Sequence, residues 1–359
     1  MNSLGTLFKV ISFGESHGSH VGCVLEGCPA GLSIDFSLIQ NAVDKRKTAQ
    51  NNFSSARKES DTVEIISGIF EGKTLGSPIC ILIKNEDAKS ADYETLKDVF
   101  RPGHADASYF QKYTHRDYRG GGRSSIRITA PLVAAGEIAR QLLLQYFNYE
   151  SLTYISQIGE IALDEKRSKE IKQENIDISE VKCPDEGASQ AMLTLIEQVR
   201  EQGDTIGGVI TTVIRNVPPG IGEPVFGKLQ AALAHAMMSI NTVKAFEYGE
   251  GFQSAAMRGS EHNDAFISLD ENIATETNHH GGILGGISTG MDIRFKVWFK
   301  PISSIQQEQK TLDMNLAETN ISIKGRHDVC AVPRAIPIVE AYTQIVLVDL
   351  FLQNKLSKI

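Results

Sequence analysis

The sequence predicts an α+β protein, built from antiparallel sheets and helices by duplication of one strand–helix–strand unit. Two sets of residues carry that reading. Val24 to Arg46 reads as a strand, a Pro29-Ala-Gly-Leu32 turn and an amphipathic helix carrying Phe36, Ile39 and Val43. Val213 to Met237 repeats the order, with Pro218-Pro-Gly-Ile221 as the turn and Leu229, Leu233 and Met237 on the helix. Further on, Gly72-Lys-Thr-Leu-Gly76 precedes the apolar run Ile79–Ile83. Its counterpart, Gly286-Ile-Ser-Thr-Gly290, precedes a strand in which Ile293, Phe295, Val297 and Phe299 alternate with Arg294, Lys296 and Trp298. Pro29 to Pro218 is an offset of 189 residues and Gly72 to Gly286 one of 214, so the order is kept across an insertion. Strict alternation implies an antiparallel sheet with one covered face.

Residues 116–127, Arg-Asp-Tyr-Arg-Gly-Gly-Gly-Arg-Ser-Ser-Ile-Arg, carry the strongest chemical signal. Glycines let a backbone approach a ligand closely and turn its N–H groups toward it. Arg119, Arg123 and Arg127 bracket them, and Ser124 and Ser125 add hydroxyl donors. A helix is predicted to follow, with Thr129 placed to cap it, Pro131 in its first turn, and Ile138, Leu142 and Tyr146 at helical spacing. A glycine loop entering a helix N-terminus is an anion site. Between Arg101 and Arg127 there are six Lys or Arg against two Asp, in a chain whose net charge is −8. A local basic cluster in an acidic protein fits a small polyanion in a cleft; a nucleic-acid duplex needs a broad basic face. Arg116 and Arg119 are the arginines that read most readily as a solvated face.

At 359 residues, 41% apolar and 22% charged, the composition is that of a globular protein with a sizeable core. No apolar run reaches the length of a membrane span, and Met1 to Lys9 lacks the pattern of a signal peptide, so no membrane partner and a cytoplasmic location are expected. Cys23, Cys28, Cys80, Cys183 and Cys330 are odd in number, form no Cys-x-x-Cys pair and read as buried free thiols. His17 and His20 have no neighbouring carboxylate or cysteine to complete a ligand set, so no metal is expected. The charged stretch Asp164–Glu186 reads as an exposed excursion. With no Pro/Gly/Ser-rich linker, the chain reads as a single domain over 1–359, holding two intertwined pseudo-repeats of about 5–150 and 204–350.

Six motifs occur in the order found in chorismate synthases: Gly14-Glu-Ser-His-Gly18, Arg101-Pro-Gly-His-Ala-Asp106, Arg119-Gly-Gly-Gly-Arg-Ser-Ser125, Asp204-Thr-Ile-Gly-Gly208, Met238-Ser-Ile-Asn241 and Gly325-Arg-His-Asp328. The chain resembles that family from about Gly5 to the final helix. The resemblance implies a β-α-β sandwich, a homotetramer, and anti-1,4-elimination of phosphate from 5-enolpyruvylshikimate 3-phosphate to give chorismate. It further implies reduced FMN (FMNH2) without net redox change, and leaves two sources of reduction open: the enzyme itself with NADPH as reductant, or a separate flavin reductase as a partner. By the same resemblance His17 is the acid beside the departing phosphate, His104 lies at the pyrimidine edge of the flavin, and Asp328 takes up a proton near flavin N5. Arg46, Arg101, Arg127 and Arg326 are the implied substrate arginines. Implied flavin contacts are Arg123, Ser124, Ser125, Asn241, Thr242, Gly285, Lys300, Pro301, Ile302, Ser303, Ser304 and Arg326.

The chain departs from the family pattern at several positions. Asn52 stands where a second arginine is usual, and Thr48-Ala-Gln where a Pro-Gly turn is. Ile128 replaces a common Glu, and Thr242 and Ala245 replace Ala and Gly. A phosphotransferase using the glycine loop for ATP is the rival enzyme, weakened by the absence of a Gly-x-x-x-x-Gly-Lys-Ser/Thr loop. An RNA-binding module is the rival outside catalysis, weakened by the acidic balance and by the lack of aromatics interleaved with basic residues.

Overall fold

A computed structural model describes residues 1–47, 60–86, 96–164, 171–323 and 328–357. Two five-stranded sheets enclose the helices. The first contains β1 (Ser3–Leu4), β2 (Lys9–Gly14), β3 (His20–Glu26), β4 (Val63–Ser67) and β7 (Ile79–Lys84), in the order β1-β2-β3-β7-β4, with the hairpin β5 (Ile69–Phe70) and β6 (Lys73–Thr74) inserted before β7. The second contains β8 (Glu150–Ile158), β9 (Ile161–Ala162), β10 (Gly208–Arg215), β11 (Val243–Tyr248) and β16 (Ile293–Phe299), in the order β9-β8-β10-β16-β11. Two hairpins precede β16: β12 (Phe266–Leu269) with β13 (Asn272–Thr275), and β14 (Ile283–Leu284) with β15 (Ile287–Ser288). Pairing is antiparallel throughout both sheets, for instance Cys23 opposite Ile81 and Thr212 opposite Phe295. Chain order and sheet order therefore match strand for strand, β2/β3/β7/β4 against β8/β10/β16/β11.

The duplication extends to individual hydrogen bonds. Gly31 N donates to Thr74 O (2.8 Å), Thr74 N to Leu32 O (3.0 Å), Leu32 N to Thr74 Oγ1 (3.0 Å), and Thr74 Oγ1 to Pro29 O (2.6 Å). Gly220 N donates to Ser288 O (3.0 Å), Ser288 N to Ile221 O (2.9 Å), Ile221 N to Ser288 Oγ (2.9 Å), and Ser288 Oγ to Pro218 O (2.7 Å). A proline turn clasped by one hydroxyl recurs in the same place in both halves. The hydroxyl satisfies buried peptide groups that the turn would otherwise leave unpaired.

The helices are α1 (Phe36–Lys45), α2 (Asp106–Tyr113), α3 (Ala130–Tyr146), α4 (Gln173–Ile178), α5 (Glu186–Glu201), α6 (Leu229–Met238), α7 (Gly259–His262) and α8 (Val332–Asn354). α1 and α3 pack on the first sheet, and α6 and α8 on the second; α3 lies along α8 at the centre. Ile39 and Val43 of α1 and Leu229, Leu233 and Met237 of α6 are buried, as their spacing predicts, while Phe36 is half exposed. β16 buries Ile293, Phe295, Val297 and Phe299 and leaves the residues between them partly open. α8 is long and apolar enough to cross a membrane, but its most apolar window is 83% buried inside the protein, as in a core helix. Asp349 near its end accepts the amides of Thr6, Leu7 and Phe8 at 2.7–2.9 Å and ties down the start of the chain.

Three expectations are corrected. Thr129 sits at the N-cap of α3 without capping it, because its hydroxyl donates to Ile126 O (2.6 Å); Pro131 is in the first turn as expected. Tyr146 is exposed, covered on one side by Phe351 and Lys355, whereas Ile138 and Leu142 are in the core. The stretch 164–186 is not simply an excursion. Ile171, Ile176, Val181 and Cys183 are buried, and Lys182 O accepts the amide of Ile155. Its charges hid a short apolar stripe.

α3 and α8 approach closely at Gly136, where an added Cβ would lie 2.3 Å from Ala341 Cβ and 2.5 Å from its Cα. The neighbour is backbone, so the helices themselves must part. Gly136→Ala gains up to about 1 kcal/mol of helix propensity, but overpacking costs about 1–3 kcal/mol and here includes a main-chain shift. The expected net result is a melting temperature lowered by a few degrees in calorimetry, against the rise a Gly→Ala change gives in an unencumbered helix.

Candidate active site

One end of the sandwich gathers the polar motifs. The turn after β2 carries His17, which is buried (9% exposed). Ser16 Oγ and His17 Nδ1 share a 2.9 Å hydrogen bond. Gly120 lies against the ring: at φ +71°, a Cβ there would be 2.3 Å from His17 Cε1. Only glycine lets the loop backbone reach the imidazole.

The loop is fastened from several directions. Arg123 donates from Nη1 to Gly14 O (2.9 Å) and from Nη2 to Ser12 O (3.2 Å), joining it to β2. Asn241, just beyond α6, donates from Nδ2 to Ser124 O (2.7 Å) and brings in the second half of the chain. Arg101 Nη2 donates to Gly120 O at 3.0 Å. The 3-10 turn Gly122–Ser124 leaves its first amides without an intrahelical acceptor, and Ser125 Oγ accepts the amide of Arg127.

Beside it, Asp106 organises the Arg101–Asp106 motif. Arg101 grips it with Nε to Oδ2 (2.7 Å) and Nη2 to Oδ1 (2.8 Å), and Arg116 Nη1 adds an ion pair at 3.3 Å. Burial acts to raise the Asp106 pKa, but hydrogen bonds from Arg101 and His104 outweigh it and hold the carboxyl well below its ordinary value. His104 Nδ1 faces Asp106 Oδ1 at 3.0 Å and Arg101 Nη2 at 3.2 Å. Arginine only donates and a carboxylate only accepts, so the two contacts ask for opposite tautomers: with a hydrogen on Nδ1 the ring donates to Asp106, and with a lone pair there it accepts from Arg101. Arg116 thus stands corrected: it is largely buried and also donates to Lys97 O (2.7 Å), while Arg119 is exposed and paired with Asp117. Lys300 Nζ donates to Ser303 Oγ (2.7 Å), which donates to Gly103 O (2.6 Å), so Lys300–Ser304 closes over the turn before His104. Thr205 Oγ1 holds Ile302 O at 2.7 Å, and Ser304 is buried.

A third group lies under the loop. Asp61, 1% exposed, bridges Arg46 (3.2 Å) and Arg127. Arg127 also donates to Asn85 Oδ1 (2.8 Å) and Lys84 O (3.0 Å), and Asn85 Nδ2 donates to Glu15 O (3.1 Å) and Gly18 O (2.8 Å) on either side of His17. Asp328 pairs with Arg334, whose Nε donates to Arg46 O (3.3 Å). The structure therefore brings together His17, His104, Asp328, Arg46, Arg101, Arg123, Ser124, Ser125, Arg127, Asn241 and Lys300–Ser304. Arg326, Asn52 and Thr48 lie outside the described residues.

Gly285 is not brought to this cluster. It turns the β14–β15 hairpin beside the start of α6, and Gly286 O accepts Leu229 N there, whereas Asn241 follows the other end of that 10-residue helix, about 15 Å away. Of the departures, Thr242 adopts φ +70°, uncommon for a β-branched residue, and its carbonyl accepts Lys300 N (3.0 Å). Ala245 lies at a bulge in the β11–β16 pairing, and Ile128 packs against the core.

Asp61, Asn85 and Arg334 were not singled out in the sequence. The available signal was modest: a polar residue just past an apolar strand (Asn85), an acid just before one (Asp61), and an arginine in the first turn of the last helix (Arg334).

The basin suits a phosphorylated anion. Arg46 Nε is buried with no acceptor among the described residues. Lys300 titrates below its ordinary value, through desolvation and then the neighbouring Lys244, so positive charge there is only partly compensated. The family model for chorismate synthase matches residues 8–352. The chain belongs to the chorismate synthase family. It is 52% identical over 359 residues to the chorismate synthase of Christiangramia forsetii, covering 100% of this chain and 99% of that one. It is 49% identical to the chorismate synthase of Azobacteroides pseudotrichonymphae, over 99% and 100% of the two chains. A crystal structure of chorismate synthase superposes with a TM-score of 0.76 at 29% identity, covering 97% of this chain and 92% of the other. As a chorismate synthase it is a carbon–oxygen lyase that eliminates phosphate from 5-enolpyruvylshikimate 3-phosphate.

Proposed function

We propose that this chorismate synthase works with reduced FMN held beside the substrate, and that His17 is the acid that protonates the departing phosphate. One observation carries the reading: Gly120 seats the glycine loop directly on the His17 ring, so a proton donor sits inside an anion-binding loop. Bond cleavage to phosphate is assisted where the leaving oxygen meets positive charge and a proton; Arg101 holds the Gly120 carbonyl of the loop, and Arg46 and Arg127 share Asp61. Ser16 orients the imidazole, and Asn85 holds both peptides that flank it. Arg123, Ser124, Ser125, Asn241, Thr242 and Lys300–Ser304 would hold the flavin, with His104 at its edge and Asp328 taking up the proton. Held by these residues, reduced FMN would supply transient electron transfer with no net redox change.

In the same reading the enzyme is cytoplasmic and homotetrameric, its subunit one domain with two pseudo-repeats. Its flavin is reduced in one of two ways, by the enzyme itself with NADPH as reductant or by a separate reductase as partner. Anaerobic incubation of the full chain with substrate is expected to give chorismate only when reduced FMN is present, at far more than one turnover per flavin. Chorismate formed equally well without flavin, or with oxidised flavin alone, would overturn the cofactor assignment.

A further inference from the structure

Asp61 is more deeply buried than Arg46, Arg127 or Asp328 around it. Its backbone takes φ +48°, a region a non-glycine residue rarely enters, although aspartate is among those that tolerate it. Gln40 straddles that residue from α1: its Nε2 donates to Asp61 O (3.1 Å) and its Oε1 accepts Val63 N (3.0 Å). The chain therefore fixes an uncommon backbone conformation, and the result is a carboxylate with Oδ2 on Arg46 and Oδ1 on Arg127. Burial alone would raise the Asp61 pKa, and the two guanidinium groups bring it below its ordinary value, so it stays charged. Arg46 is itself held at about 10, chiefly by desolvation.

Two buried arginines share this carboxylate, and the neighbouring Arg334 is occupied with Asp328. Arg46 Nε is a buried donor with no acceptor among the described residues. A guanidinium is a rigid planar fork, so fixing one side fixes the direction of the other N–H bonds.

We propose that Asp61 is a positioning residue of the substrate site: it sets the spacing and planes of Arg46 and Arg127 and leaves Arg46 Nε as a donor to an anionic group of the substrate. This rests on the reading of Arg46 and Arg127 as substrate arginines. Asp61 touches no substrate and acts through them. A mere counter-ion would have the opposite effect on binding, since removing its negative charge would leave the basin more positive and hold an anion more tightly.

The test is calorimetric titration of 5-enolpyruvylshikimate 3-phosphate into the full chain, for the parent, Asp61→Asn, Asp61→Glu, Arg46→Ala and the Asp61→Glu/Arg46→Ala pair. Asp61→Glu keeps the charge and moves the carboxylate by one methylene; it is expected to weaken binding by about tenfold, because the arginine planes shift. Asp61→Asn is expected to weaken binding as well, despite its favourable charge change. Together with Arg46→Ala the losses are expected to combine to less than their product, as they do for residues acting through one another. Asp61→Glu binding like the parent, tighter binding by Asp61→Asn, or losses that multiply would each overturn the proposal. Parent-like binding by Arg46→Ala would instead remove the reading on which it rests. Should Asp61→Asn fail to fold once this buried negative charge is removed, Asp61→Glu decides the matter alone.

Discussion

His17→Ala is expected to slow chorismate formation by roughly 10²–10³-fold, the usual loss when a positioned proton donor is removed. The fold should persist, since the His17 ring sits on a turn against Ser16 Oγ and the Gly120 backbone, and circular dichroism and melting temperature provide the check. The same loss should be reached from the other side of the contact. Gly120→Ala would place a methyl group 2.3 Å from the imidazole at a φ of +71°, displacing the ring, the loop or both while every acid–base group remains present. His104→Ala should cost less within the range of roughly one to three orders of magnitude, because Arg101 and Arg116 still hold Asp106 without it. Near-parental turnover in His17→Ala would remove the acid role. Near-parental turnover in Gly120→Ala would show that loop and ring are not held in register.

The fold was legible where the sequence is periodic or punctuated. β16 alternates, α1 and α6 carry helical stripes, and the two proline turns lie at matching positions, so the duplication could be read before any contact was known. The shared hydroxyl clasp could not. Thr74 and Ser288 are the middle residues of the two matched Gly-x-x-x-Gly blocks, but the prolines they hold lie 45 and 70 residues away, and the sequence does not show that contact. The site divides in the same way. His17, His104, Arg123 and Lys300 sit in recognisable motifs, but what gives them geometry is remote: Asp61 is 66 residues from Arg127, Asn85 is 67 from Gly18, and Arg334 is 288 from Arg46. Composition misled at 164–186, where charge masked Ile171, Ile176, Val181 and Cys183. It misled again at Arg116, whose burial depends on an acid ten positions away and on carbonyls of the preceding loop.

Asp328→Asn is expected to lower kcat by roughly 10²-fold while substrate and flavin bind nearly as in the parent. The reasoning turns on what the carboxylate touches. Asp328 is buried and pairs with Arg334, and Arg334 Nε reaches Arg46 O, so the aspartate could act in two ways. It could serve only as an anchor that keeps the start of α8 and the Arg46 backbone in place. Asparagine would then loosen the anion site and raise KM, and turnover at saturating substrate would hardly change. Alternatively, the carboxylate takes up the proton released as the hydrogen leaves the ring. Asparagine keeps its size and an acceptor oxygen for Arg334 but cannot accept a proton, so the loss falls on kcat. A substrate deuterated at the departing hydrogen separates the two cases further. If proton removal is impaired, that step becomes more rate-limiting and the isotope effect on kcat grows in the variant. Unchanged kcat with a raised KM and an unaltered isotope effect would leave Asp328 as an anchor for Arg334 and nothing more.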